Sequence, residues 1–224
     1  MTPQPLRKTS PLHGLHRELG ATCGDIAGWW MAEHFGNPVA DAEALRSGAL
    51  LVDWSHVGKL SLRGRRAAAE AAKLHRDAPG LPPLRTALAP GLALLRLTTD
   101  EFRVLTLPGR ETAALAALNE ANIAAVNQTG ALSCLVLAGP RRDEVLERST
   151  AMDLRRDRTG PGTVLQTSIH SISCILWRTA RREVLLVERD YAQSLFEALL
   201  DVGQGVGLRP AGLATLPVSL QEGD

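Results

Sequence analysis

A strand–helix–strand–strand–helix order occurs twice along this 224-residue chain, and that duplication constrains the fold more than any other feature. In the first copy, KLSLRG alternates as a strand into Gly64 and RRAAAEAAKLHR follows as a helix. GLALLRLTTDEFRVLTL then reads as two strands about a Thr-Asp turn, and GRETAALAALNEA carries apolar residues at helical spacing. The second copy starts with LVLAG, a strand into Gly139, and PRRDEVLERS, a helix with Pro140 at its first position. TVLQTSIHSISCILWR and REVLLVER supply its strands, and DYAQSLFEALLDVG closes it as a helix with Asp190 as cap and Gly203 as stop. The copies are offset by about 75 to 80 residues, Gly64 matching Gly139 and Arg103 matching Glu183. Each is a βαββα unit of the ferredoxin-like kind. The predicted fold class is therefore α+β: two such units about a pseudo-twofold, with Trp29, Trp54 and Trp177 near a cleft between them. The expected organisation is an arm with helices over 1–48, units over 49–130 and 131–216, and a tail over 217–224.

Upstream of the repeat, residues 1–10 read as a loose arm and PLHGLHRELGA as a short helix ended by Gly20. GDIAGWWMAEHFGN shows no regular pattern, and DAEALRSGA reads as a helix with Asp41 as N-cap and Gly48 as stop. Apolar residues make up 45% of the chain, charged residues 22%, and the net charge is +1. That balance describes a globular protein, not a disordered tail or a polycation seeking nucleic acid. Cys23, Cys134 and Cys174 are odd in number and lack C-x-x-C spacing, which argues against a disulfide framework or a zinc site. The first residues have no apolar core for a signal peptide, and the apolar runs are too short to span a membrane. A cytoplasmic protein of bacterial type is the expectation.

Candidate chemistry centres on LVDWSHVGKL. On a strand, Asp53 and Ser55 point to one face and Trp54 and His56 to the other, so Ser55 and His56 do not form a nucleophile–base pair. Structural hydrogen bonding at the entry of a strand is the simpler reading, and a pocket wall the alternative. His13 and His16 are spaced for a helical metal site but have no acidic partner nearby, so they read as surface histidines. GQGVG over 203–207 follows a helix rather than a strand, which makes it a helix end and turn and not a phosphate loop. Arg178, Arg181, Arg182 and Arg189 gather around one hairpin, either as a solvated or partner-binding face or as an anion site.

Several stretches resemble the glycine cleavage T-protein (aminomethyltransferase) family. TSPLHGLHRELGATCGDIAGWWMAEHFG is similar to its N-terminal segment, and LVDWSHVGKLSLRG to its D-x-S-H-M-G strand, with Val57 in the methionine's place. From Leu97 onward the blocks LTTDEFRVLTLPGRETAALAAL, LVLAGPRRDEVLERSTAMDLR, TVLQTSIHSISCILWR and LLVERDYAQSLFEALLDVG resemble the γ subunit of heterotetrameric sarcosine oxidase. The resemblance implies a folate-binding fold of two intertwined ferredoxin-like units, without the family's C-terminal barrel domain. It places Val57, Trp177 and Glu183 at the folate pocket. Trp177 stands for a folate-contacting tyrosine, and Val184 for a pterin-binding glutamate that Glu183 replaces only after a one-residue shift to the other face. The acidic pair that handles the folate's amine chemistry falls on Pro90 and Gly91. These departures imply a non-catalytic accessory or subunit protein of one-carbon metabolism, with tetrahydrofolate binding weakened or lost. It would dock on a folate or flavin enzyme or pair as a homodimer. The alternative is a small tetrahydrofolate-dependent aminomethyltransferase with a rearranged site.

Overall fold

LSCLVLA and REVLLVE are apolar runs with almost no alternation, as expected of strands covered on both faces. They pair antiparallel at the centre of a sheet, from Leu132 opposite Glu188 to Ala138 opposite Arg182. The computed structural model describes residues 7–118 and 123–221. In chain order the elements are β1 (Lys8–Thr9), α1 (His13–Glu18), β2 (Thr22–Ile26), β3 (Trp29–His34), α2 (Pro38–Ser47), β4 (Ala49–Asp53), β5 (Gly58–Arg63), α3 (Ala67–Ala71), β6 (Arg85–Ala89), β7 (Leu92–Thr98) and β8 (Glu101–Thr106). There follow α4 (Glu111–Ala117), β9 (Ala124–Asn127), β10 (Leu132–Ala138), α5 (Arg142–Glu147), β11 (Val164–Ile169), β12 (Ile172–Arg178), β13 (Arg182–Glu188), α6 (Ala192–Gly203) and β14 (Leu208–Ala211).

They build a six-stranded sheet of order β11-β12-β13-β10-β4-β14, a five-stranded sheet of order β6-β7-β8-β5-β9, and a small sheet β1-β3-β2. Period-two alternation divides the apolar residues between layers. Leu135, Leu137, Leu185 and Val187 face α5 and α6 in one core cluster. Cys134, Val136, Val184 and Leu186 face the opposite way and meet Ala93, Leu95, Leu97 and Leu105 of the five-stranded sheet in a second. Leu60, Leu62, Leu94 and Phe102 pack beneath α3 and α4 in a third. The molecule is thus a mixed α/β stack of helices, sheet, sheet and helices. Trp29, Trp54 and Trp177 all lie buried in the inner layer.

Several local expectations are corrected. β4, assigned by sequence to the unit 49–130, hydrogen-bonds in the other sheet, antiparallel to β10 and parallel to β14. Within residues 217–221 of the tail, Leu220 is 2% exposed and Val218 packs on the inner layer. The arm is tied down at Lys8–Thr9, which pairs with β3. GDIAGWWMAEHFGN contains the hairpin β2–β3, whose two-residue turn places Ala27 and Gly28 at φ 53 and 80°. Both central residues at positive φ give the turn hand that suits twisted strands. Helix α2 begins earlier than expected, with Asn37 accepting from the Ala40 amide at 3.0 Å and Pro38 in the first turn. Asp41 is instead buried and accepts from Thr215. Helix α3 is a short stretch of the segment 65–76, α5 starts after Pro140, and α6 has no side-chain cap from Asp190. The predicted end of the helix after Arg110 lies outside the described residues beyond Leu118.

Candidate functional site

β4 ends at Asp53, and residues 54–57 form a turn closed by the Val57 amide bonding to the Trp54 carbonyl at 2.9 Å. Strand alternation therefore does not reach Ser55 and His56. Asp53 accepts hydrogen bonds from the Ser10 hydroxyl and from the Ser55 amide, the latter at 2.8 Å. The Ser55 hydroxyl accepts from the Cys134 amide at 3.1 Å, fastening the turn to β10. His16, buried rather than on the surface, brings Nε2 to 3.8 Å from Asp53. Burial pushes its pKa down, against the pull of Asp53. Activation of a hydroxyl needs the base against it; here the carboxylate stands between Ser10 and His16, and all three residues are at most 4% exposed. Buried hydrogen bonds hold the turn in place.

Lys59 completes it. Its ammonium is fully buried and donates to the carbonyls of Ser55 and Val57 at 2.8 and 2.7 Å. Desolvation pushes its pKa down to about 8, while Asp53 and Glu111 pull it back up. Gly58 precedes it because a Cβ there would meet Thr106 Oγ1 at 2.2 Å and Glu111 Cβ at 2.7 Å. His56 is 2% exposed, burial lowers its pKa to about 4, and its Nδ1 has no hydrogen-bond partner among the described residues.

Val57 and Trp177 come together in the inner layer with Val184, at 0, 3 and 1% exposure. Glu183 is not with them. Trp177 pairs across the hairpin with Val184, and Arg178 with Glu183, so each member of a pair points the same way and the two pairs point oppositely. Glu183 lies fully buried on the helix side, accepting from Arg178 Nε at 3.0 Å and Arg156 at 2.6 Å. Desolvation raises its pKa to about 7 in spite of both arginines. Asp143 bonds Arg178 at 2.8 Å and accepts two bonds from Arg156. Pro90 and Gly91 form the turn between β6 and β7, with Gly91 at φ 72°.

With sheets, turn and inner layer in place, the comparison with known proteins is decisive: residues 12–222 match the GCVT N-terminal domain. The chain belongs to this family. An aminomethyltransferase of Desulforamulus reducens is 26% identical over 92% of this chain and 61% of its own length. One of Streptomyces coelicolor is 28% identical over 96% and 62%. The chain thus spans about three fifths of the length of these curated relatives. Among solved structures, the glycine cleavage system aminomethyltransferase T of Bartonella henselae superposes with a TM-score of 0.75 at 21% identity, over 94% of this chain and 61% of that one. A chain of the heterotetrameric sarcosine oxidase of Corynebacterium sp. U-96 superposes with a TM-score of 0.67 at 20% identity, over 91% of this chain and 97% of that one. At these identities the likeness is one of fold.

Within this GCVT N-terminal domain, sequence reading passed over three features. Lys59 follows the turn in LVDWSHVGK, but only the fold shows that its ammonium is enclosed. Ser10 reaches Asp53 across 43 positions of sequence, beyond any local pattern. Arg142 and Arg156 join Arg178 around Glu183 and Asp143, whereas the sequence offered only the arginines of one hairpin. Among the described residues no helix is long and apolar enough to cross a membrane.

Proposed function

We propose that this GCVT N-terminal domain acts as a non-catalytic accessory or subunit protein whose folate pocket has closed. The observation that carries the reading is the inner layer: Val57, Trp177 and Val184 are almost wholly withdrawn from solvent and pack on one another's cluster. A pterin needs a buried carboxylate for its N–H donors, and leaving such donors unpaired costs about 1–3 kcal/mol each. Glu183 is committed to Arg178 and Arg156 on the other face of the sheet, and Pro90 and Gly91 carry no acid.

The fold reading that goes with it is a pair of intertwined ferredoxin-like units about a pseudo-twofold. Its support is the shared strand order, β7-β8-β5 in one sheet and β12-β13-β10 in the other, with β4 crossing to extend the second. The partner is a folate or flavin enzyme of one-carbon metabolism. That assignment rests on the near-complete coverage of a chain from a heterotetrameric oxidase.

Titration calorimetry with tetrahydrofolate tests the closed pocket. The expected outcome is binding weaker than about 0.1 mM, a binding energy under about 5.5 kcal/mol. An aminomethylated lipoyl carrier with tetrahydrofolate should release no ammonia above background. Sub-micromolar binding with turnover would replace this reading by the small tetrahydrofolate-dependent aminomethyltransferase with a rearranged site.

A further inference from the structure

We propose that the cleft between the β10–α5 turn and the β12–β13 hairpin binds a small oxyanion ligand, a carboxylate or phosphate carried on a compact apolar body. The cleft has a volume of about 330 Å³, at the small end of ligand sites. Among the described residues its charged lining is Arg142, Arg181 and Arg182, with no carboxylate. Leu45, Pro140 and Leu216 supply apolar walls.

The floor is a held guanidinium. Arg142 donates to the carbonyls of Gly139 and Ala180, both at 2.8 Å, which ties the two turns together. These bonds use two of its five donors. Its side chain is 11% exposed, and its Nε lies 3.6 Å from Glu183 without a hydrogen bond. Behind it, Arg142, Arg156 and Arg178 share two carboxylates, Asp143 and Glu183. Three cations against two anions leave one positive charge in excess on the cleft side, where burial and Arg156 already disfavour the charge on Arg142. At the rim Arg181 is exposed. Arg182 is oriented by stacking 5.3 Å from the Trp54 ring centroid and by donating to the Ser219 carbonyl at 3.2 Å. An anion in the cleft would meet fixed guanidinium donors in a partly desolvated place, where charge-assisted bonds are strongest.

Benzoate and phenyl phosphate are the probes, titrated into the whole chain at low salt and followed by calorimetry and by amide chemical shifts. At least one should bind with a Kd of about 0.1–10 mM, and rising salt should weaken it. Tighter binding of one probe identifies the anion class. Arg181→Gln and Arg142→Gln should each weaken binding about tenfold or more, with Arg189→Gln, outside the cleft, leaving it unchanged. Should Arg142→Gln unfold the protein, Arg181→Gln alone decides. No binding of either probe at about 10 mM, or binding indifferent to the arginine variants that remain folded, overturns the proposal.

Discussion

The two faces of the β12–β13 hairpin differ by one step of register and by nearly everything else. Trp177 and Val184 turn inward to an apolar cluster, while Arg178 and Glu183, their immediate neighbours, turn outward into a buried network of guanidinium and carboxylate. The inward face is held by apolar burial, about 1.5–3 kcal/mol for a large side chain. The outward face is held by charge, and buried ion pairs stabilise only while every member is present. An apolar layer can thus form on one side of a strand and a charged network on the other, because alternation makes the two faces independent.

The largest test removes the inward anchor. Trp177→Ala should cost about 3–5 kcal/mol in denaturant unfolding, the range for emptying a buried aromatic site. A loss under about 1 kcal/mol would mean that the layer is looser than its burial indicates. On the outward face Arg178→Met should cost about 3 kcal/mol, since it leaves Glu183 with less compensation. The double variant Arg178→Met with Glu183→Leu should recover part of that loss, and failure to recover any would show that the network does more than balance itself.

The two regions also titrate with opposite sign. His56 falls from its ordinary 6.5 to about 4 on folding, so the unfolded chain holds more protons in that window and stability is lost as pH falls through it. Glu183 rises from 4.5 to about 7, so the native state holds the extra proton and stability is lost as pH rises. Between these limits each contributes a slope of up to about 1.4 kcal/mol per pH unit, and they oppose. His56→Gln should therefore shift the stability–pH slope downward and Glu183→Gln should shift it upward, relative to the wild type, by urea unfolding at pH 4.5 to 6.5. Equal slopes in all three would remove both assignments. The smallest effect is expected at the surface: Arg141, paired with Glu144 at about 40% exposure, should change stability by under about 1 kcal/mol on replacement by alanine.

Periodicity by itself determined the repeated order of strands and helices, because each layer buries a face whose spacing is written locally. KLSLRG, LVLAG and REVLLVER fell into strands, and DYAQSLFEALLDVG into helix α6 with its apolar stripe, Leu195, Phe196 and Leu199, in the core. The residues that resemble a folate site were legible too, as was the one-residue slip that separates Glu183 from Val184. Tertiary structure alone decided the rest. β4 left its sequence neighbours for β10 because edge pairing is a choice among partners, which no single strand encodes. GDIAGWWMAEHFGN became a hairpin through two positive-φ residues, only one of them glycine. The turn at Asp53 is fastened from elsewhere in the chain, by Ser10 and His16 of the N-terminal segment and Cys134 of β10, together with Lys59 just downstream. The cost of burying a charge depends on what stands opposite it, and that is fixed only when the sheets close.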